Sequence, residues 1–419
     1  MTAEVTPELY GIIEEKGIAE VSPQERHGNP KAVFGLWMAA NIEFATLTTG
    51  ALATGWLGLS FSAALLAIVI ANVLGGLVLA FFSTFGVDYG RPQMIQGANW
   101  FGELGNKLPS LLNFFGGFSW FAVNTIAGAY ALQYFFGGSL IIGVVALSLV
   151  QVAIAFFGHD LIQTAEKYLV YFLTLAFLAL TVVAVQHLGL SVPENVKAEA
   201  AVGGFSGAFI LTVSIMVGYM VGWIPYSSDY TRYLRTETGA AGVKKTVFSY
   251  AFLGSVISTV WIEALGALLG AAVSFTKPSD LFTTWMPDWF KVPFLIAVIL
   301  GTISANIINI YSATLSALAA ANFITNYENF LLVLGYWTMP WIAITLLCHV
   351  TDRVSRLPVS AAFIAWVGAI AVSWPFYNQA LYVGPVAAKF PQIGDSTFIV
   401  SFVAGALFYL LLSKPAKAA

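Results

Sequence analysis

Glu43 is the only ionisable residue between Val33 and Ser60, a stretch otherwise apolar or weakly polar. A carboxylate within a membrane-length segment is expensive to bury, which makes it a candidate for function. Asn41, Thr46, Thr48 and Thr49 surround it, with Gly50 and Gly55 following. Such a polar break in a first membrane helix would expose backbone oxygens to an ion. The plainer alternative is a Glu that reaches an interface or bonds to a neighbouring helix. Glu263, in STVWIEALGALLG, poses the same choice between a proton relay and an interhelical partner.

Trp120 and Asn124 are four residues apart, so they share a helix face. An indole that stacks and an amide that makes paired hydrogen bonds suit a planar, amide-rich heterocycle. Helix packing with an interhelical Asn bond is the alternative. Between Met216 and Arg235, Gly218, Gly222 and Pro225 interrupt an apolar segment. Proline removes a backbone donor, and an unwound helix is tolerated in a membrane only where it lines a cavity or is buried in protein. Asp229, Arg232 and Arg235 mark its cytoplasmic end, with Asp229 expected in a structural or gating ion pair. Further on, Ser304, Asn306, Asn309, Tyr311 and Ser312 concentrate polarity in one span. Gly301, Ser304 and Ala305 stand at i, i+3 and i+4. That face could hold a small cation opposite the broken first helix, or could be a small-residue packing face.

These residues must be carried by membrane helices. The 419-residue chain is 58% hydrophobic and 9% charged, against about 25% charged in a soluble domain. Apolar runs of bilayer length recur throughout, near 33–57, 61–85, 110–136, 139–158, 168–187, 205–226, 247–275, 292–320, 330–350, 358–377 and 396–412. A β-barrel would show short alternating segments instead. Residues 1–30 are polar and acidic and are expected to form a soluble tail; 31–419 read as one transmembrane transporter domain. A single cysteine, Cys348, excludes an intrachain disulfide and a cysteine-based metal cluster. Four scattered histidines offer no metal spacing. No Walker loop, HExxH, GxSxG or Rossmann fingerprint stands in a suitable context, so the chain is not expected to be an enzyme.

With the N-terminus cytoplasmic, Arg26, Lys31, Arg91, Lys107, Lys167, Arg232, Arg235, Lys244 and Lys245 fall on one side, and Lys197, Lys277 and Lys291 on the other. The pattern inverts after the eighth span: Arg353, Arg356, Lys414 and Lys417 then lie outside. Either the topology is odd-numbered with inverted charge, or a helix is absent between 320 and 329. The eight residues Asn322 to Asn329 cannot cross a core of about 30 Å as helix. Charge placement favours the absent helix.

Several segments resemble the nucleobase:cation symporter 1 family, in its purine–cytosine permease branch. They are GIAEVSPQERHG, LWMAANIEF, GRPQMIQGANWFG, SWFAVN, GWIPYSSDYTRYL, NIINIYSA, NYENFLLVLGYW and FYNQALYVGPVA. The resemblance implies an all-α membrane protein of LeuT-type fold. Two inverted five-helix repeats are followed by two helices, twelve in all against the eleven read, with the ninth lacking where charge parity fails. It implies a stacking role for Trp120 and an amide contact for Asn124. Tyr219 and Met220 match a substrate-facing pair, Trp223 could substitute for the aromatic that Met220 replaces, and Asn41, Asn306 and Asn309 match polar positions facing the substrate. Sodium-coupled members use carbonyls matching Ala39, Ile42 and Gly301, with hydroxyls matching Ser304 and position 305. Ala305 lacks that hydroxyl, so a weakened sodium site and proton coupling through Glu43 are expected.

The function expected is import of a nucleobase or related heterocycle (cytosine, uracil, purine, hydantoin or allantoin type) by proton or sodium symport. Glu43 joins the expected substrate-binding residues. An amino-acid or other small-solute symporter on the same fold is the alternative within transporters; a channel or membrane-embedded enzyme is the alternative outside them. The expected setting is the plasma membrane, as a multi-pass monomer with no nucleic-acid partner. No cofactor is expected beyond a sodium ion.

Overall fold

The computed structural model describes residues 14, 16–188, 204–236, 239–273 and 285–321, and parts of 336–415. Contacts divide the chain into two units, Met1–Ala320 and Ala321–Ala419, where the sequence reads as one domain over 31–419. The site residues all lie in the first.

Polar patterning is inverted relative to a water-soluble protein. Leu149, Leu175, Ile141 and Ile210 are exposed along helices, while Asn41, Asn72, Asn124, Gln151, Asn306 and Asn309 are fully buried. Apolar side chains outside and amides inside are what a lipid-facing bundle requires. Five of the described helices are long and apolar enough to cross a membrane: Phe61–Tyr89, His159–Gln186, Gly204–Tyr226, Ala240–Ala272 and Asp288–Ala319. The chain is a multi-pass membrane protein.

The first span breaks where its polar residues predicted. Helix α1 (Ala32–Asn41) stops, Ile42 and Glu43 are non-helical at φ −86°, ψ 72° and φ −144°, ψ 173°, and α2 (Phe44–Ala51) resumes. Asn41 favours the stop: its Nδ2 donates back to the Trp37 carbonyl at 2.7 Å, the i−4 side-chain bond that competes with the helix ladder. Both half-helices lie against α8 (Ala240–Ala272). Gly254 meets the Phe34 carbonyl, Gly266 the Leu47 carbonyl, and Gly50 the carbonyl of Glu263. A Cβ at any of these would collide with backbone, so glycine sets the closeness of packing.

Between these elements run α3 (Phe61–Ser83), α4 (Ala98–Phe136), α5 (Leu140–Phe156), α6 (His159–Leu188) and α7 (Gly204–Val221), and α9 (Asp288–Ala321) follows α8. Two begin well before their apolar cores. α4 starts at Ala98, bends at Gly102 (φ 71°, ψ 163°) and carries Pro109, and its first turns include the polar run to Lys107. α6 starts at His159, after Gly158 at φ +81°, with Asp160 in its first turn. The apolar count missed these turns because charged side chains occupy them. α7 ends at Val221, and Pro225 sits in a 3₁₀ turn, Ile224–Tyr226, as the Gly and Pro residues imply.

Residues 16–30, expected as a soluble tail, lie packed on the first unit: Val21 is fully buried and Gly28 bridges to Leu234. In the second unit α10 (Ala361–Ser373) packs against α11 (Thr397–Leu412). Arg353–Ser355 pairs antiparallel with Ser413–Pro415, which puts Arg353 and Lys414 at one end of that unit, as their charge placement implies. The stretch 322–329, where a helix was expected to be lacking, lies outside the described residues.

Candidate substrate and cation site

A small cavity is lined by Glu43, Trp120, Asn124, Tyr219, Gly222, Trp223, Tyr226 and Asn309. The break between α1 and α2 supplies Glu43. The face of α4 supplies Trp120 and Asn124, the end of α7 and its 3₁₀ turn supply four residues, and α9 supplies Asn309. Trp120 and Tyr219 meet edge to face, with centroids 5.6 Å apart at 89°. Trp223 and Tyr226 are likewise edge to face at 5.9 Å.

A buried amide network fixes which atoms the cavity presents. Asn306 Nδ2 donates to the Phe121 carbonyl at 3.0 Å, and also reaches Thr125 Oγ1 at 2.9 Å and Gln151 Oε1 at 3.2 Å. Gln151 is anchored by its own donation to the Thr302 carbonyl at 3.3 Å. Backbone carbonyls can only accept, so these contacts orient both amides. Asn306 Oδ1 must then accept, and it takes Nδ2 of Asn124 at 3.2 Å and Nδ2 of Asn309 at 3.3 Å. The Oδ1 atoms of Asn124 and Asn309 are left buried without a partner, as is Glu43 Oε2. The other Glu43 oxygen accepts from the Tyr219 hydroxyl at 3.4 Å, and that hydroxyl also contacts Thr46 Oγ1 at 2.5 Å. The cavity wall is therefore rich in free acceptors.

Not every expected substrate residue lines it. Asn306 acts one step back, as the hub that aims Asn124 and Asn309. Asn41 is spent on positioning: its Oδ1 accepts from Trp223 Nε1 at 3.0 Å while its Nδ2 donates to the Trp37 carbonyl. Met220 faces α3, where its Cγ would lie 2.6 Å from a Cβ on Gly75. Trp223, one turn on, lines the cavity where Met220 does not. Tyr226 and the Gln151–Thr125 pair escaped the sequence reading, Tyr226 because its neighbours mark a helix end.

Beside the cavity, α1 ends with the Ile42 carbonyl 3.3 Å from the point where a Gly301 Cβ would stand. Helix C-termini carry partial negative charge from unpaired carbonyls. Ala39 and Ala305 are fully buried here, and the Ala39 carbonyl accepts from the Ile42 N–H at 3.2 Å. Ser304 Oγ donates at 2.7 Å to Glu166 Oε2. A hydroxyl that donates once keeps its lone pairs, so it can still face a cation. Glu166 escaped notice because the span was read from 168; the helix in fact begins at His159, two turns earlier.

The N-terminal segment forms a second polar cluster, whose carboxylate, Glu14, is saturated with donors while Arg232 Nε and His159 Nε2 stay buried without a partner. Glu14 accepts from Arg232 Nη2 at 2.8 Å, the Tyr311 hydroxyl at 3.0 Å, the Tyr233 hydroxyl and the His159 backbone N–H at 2.9 Å. Arg232 also donates to the Gly17 carbonyl at 2.8 Å. Asp229, expected in an ion pair, instead accepts from the Gln93 backbone N–H at 2.9 Å. His27 Nε2 and His159 Nδ1 both bond Asp160 Oδ1, at 2.8 and 3.0 Å. The bond to Asp160 raises the His27 pKa from 6.5 to about 9. Arg26, Arg91 and Lys244, which the sequence places on one side, bond neighbours in the same region.

Comparison with known proteins agrees with this layout. Residues 20–374 match the family described as permease for cytosine/purines, uracil, thiamine, allantoin. YxlA of Bacillus subtilis (strain 168), named as a purine-cytosine permease, is 30% identical over 451 aligned positions covering 96% of each chain. That alignment is longer than the 419 residues here, so the relative carries residues within the matched region that this chain does not have. The purine-cytosine permease fcyB of Emericella nidulans is 25% identical, over 96% of this chain and 88% of its own. In structure the chain is similar to Mhp1, a nucleobase-cation-symport-1 family transporter, in a closed conformation with bromovinylhydantoin bound. The TM-score is 0.60 at 17% identity, over 96% of this chain and 95% of that one. The fold is thus of LeuT type, and the chain belongs to the permease family for cytosine/purines, uracil, thiamine and allantoin.

Proposed function

We propose that this chain imports a nucleobase across the plasma membrane by cation symport, with its N-terminus in the cytoplasm. Three buried oxygens without partners, on Glu43, Asn124 and Asn309, carry the assignment. A buried acceptor left unmade is costly, so the cavity asks for a ligand that brings donors. A nucleobase has N–H groups along a flat edge and a π-face for Trp120. Exocyclic amines add donors, which favours cytosine and aminopurines over uracil and thymine. In this reading Glu43 pairs with such an N–H edge, the substrate contact expected of it from the sequence.

An amino-acid substrate fits less well. Its carboxylate would need a cation or a free half-helix N-terminus. Glu43, itself an acid, stands at the N-cap position of α2 without a side-chain cap bond, and the cavity lining contains no Lys or Arg. The experiment is counterflow in proteoliposomes. Unlabelled cytosine or adenine inside should drive saturable accumulation of the labelled base. Accumulation of a labelled amino acid but no base would overturn the assignment, and non-saturating flux would point to a channel.

A further inference from the structure

We infer that Glu166 is a ligand of the coupling cation, sodium, supplying from α6 the oxygen that Ala305 cannot. The inference rests on the cation-symport reading above, and deepens it.

Glu166 is 1% exposed and has one unpartnered oxygen, Oε1. No Lys, Arg or His pairs with it among the described residues. Its chain neighbour Lys167 lies over the Tyr168 ring instead. Burying a carboxylate without a counter-charge is strongly unfavourable, so such a group is neutralised by a proton or a cation. Its other oxygen binds Ser304, the hydroxyl one turn after Gly301, and Gly301 stands against the Ile42 carbonyl. The carboxylate on α6 is thus linked through α9 to the open end of α1.

The other three buried carboxylates among the described residues have different employment. Asp229 accepts from the Gln93 backbone N–H. Glu263 accepts from Asn72 on α3, and its backbone packs on Gly50. Glu43 bonds Tyr219 and lines the substrate cavity. Glu166 alone is joined to Ser304. An oxygen-only set containing one carboxylate balances one unit of positive charge, which matches sodium better than a divalent ion.

The test uses the purified full-length protein without substrate. Its thermal unfolding midpoint is followed as sodium chloride replaces choline chloride at constant ionic strength. A ligand that binds only the folded state raises the midpoint in a saturable way. Wild type should show a sodium-specific rise. Glu166→Gln should lose it or need about ten-fold more sodium, the loss expected when a charged contact of about 1.5–3 kcal/mol is removed. If Glu166→Gln does not fold, Glu166→Asp decides the matter, since its retracted carboxylate should weaken the sodium response. A wild type without a sodium-specific rise overturns the inference, and so does an unchanged sodium response in whichever variant folds. Because no base is present, a protein that binds sodium through Glu166 but transports no nucleobase would refute the substrate assignment alone.

Discussion

The cavity and the N-terminal cluster are both polar, buried and built around a carboxylate, yet their hydrogen bonds close differently. Glu14 receives four donors, one of them the fully buried Arg232. Glu43 receives one long bond and leaves Oε2 empty, as Asn124 and Asn309 leave their Oδ1 atoms. A carboxylate closed by four donors and paired with Arg232 holds helices together, although Arg232 Nε and His159 Nε2 stay unpartnered there. An unsaturated network on a rigid amide hub is prepared for something else to complete it. Burial and polarity alone would have ranked the two regions alike.

The largest expected effect lies in the N-terminal cluster. Removing one partner of a buried pair strands the other and destabilises by about 3–5 kcal/mol. Arg232→Met should therefore lower the thermal midpoint markedly, while the base affinity of the folded fraction stays within about three-fold, since distant sites act nearly independently. A large affinity loss with unchanged stability would erase the distinction between the regions.

The cavity should behave the opposite way. Glu43→Gln keeps shape but exchanges a charged acceptor for an amide. It should weaken binding of a donor-bearing base by about ten-fold or more, the scale of about 1.5–3 kcal/mol for a charged hydrogen bond, with little change in the thermal midpoint. Titration calorimetry on the purified protein separates the two readouts. Trp120→Ala comes next. Stacking of a base on an aromatic is worth about 1–3 kcal/mol at nucleic-acid sites, so affinity should fall several-fold or more. Unchanged affinity would remove Trp120 from the site.

The smallest effect concerns His27, which is half-exposed and sits at the edge of the N-terminal cluster. Its pKa is raised by Asp160 to about 9. A group whose folded pKa is raised stabilises fully below its ordinary value and loses that contribution as pH climbs through the folded pKa. Stability should therefore decline modestly between about pH 6.5 and pH 9, and His27→Asn should flatten that part of the profile. A wild-type profile already flat over that window would show that the pair contributes nothing.

Much of this was legible in the sequence. Glu43 with its polar neighbours located the break, and the glycines and Pro225 located the end of α7. The i, i+4 spacing of Trp120 and Asn124 gave one wall of the cavity. What spacing could not reveal was how amides share bonds across helices. Asn41, Asn124, Asn306 and Asn309 look equivalent in sequence, yet Asn41 holds Trp223 and Asn306 serves as hub. That division depends on which carbonyls lie within reach, here those of Trp37 and Phe121. Glu166 was hidden for a different reason: beside Lys167 it reads as a helix end, and only the early start of α6 carries it inside. Glu14 looked like part of a free tail, because its partners, Arg232, Tyr233 and Tyr311, lie more than two hundred residues away.

The central claim is that the cavity's free acceptors select a base by its donors. It is tested most directly by calorimetric binding of cytosine and uracil, rings that differ at one edge by an amine beside a bare ring nitrogen against a carbonyl beside a ring N–H. Cytosine should bind about ten-fold tighter or better, as expected when a hydrogen bond to a charged acceptor is gained, and Glu43→Gln should shrink that preference. Equal affinity for the two rings, or a preference for uracil that Glu43→Gln leaves intact, would contradict it.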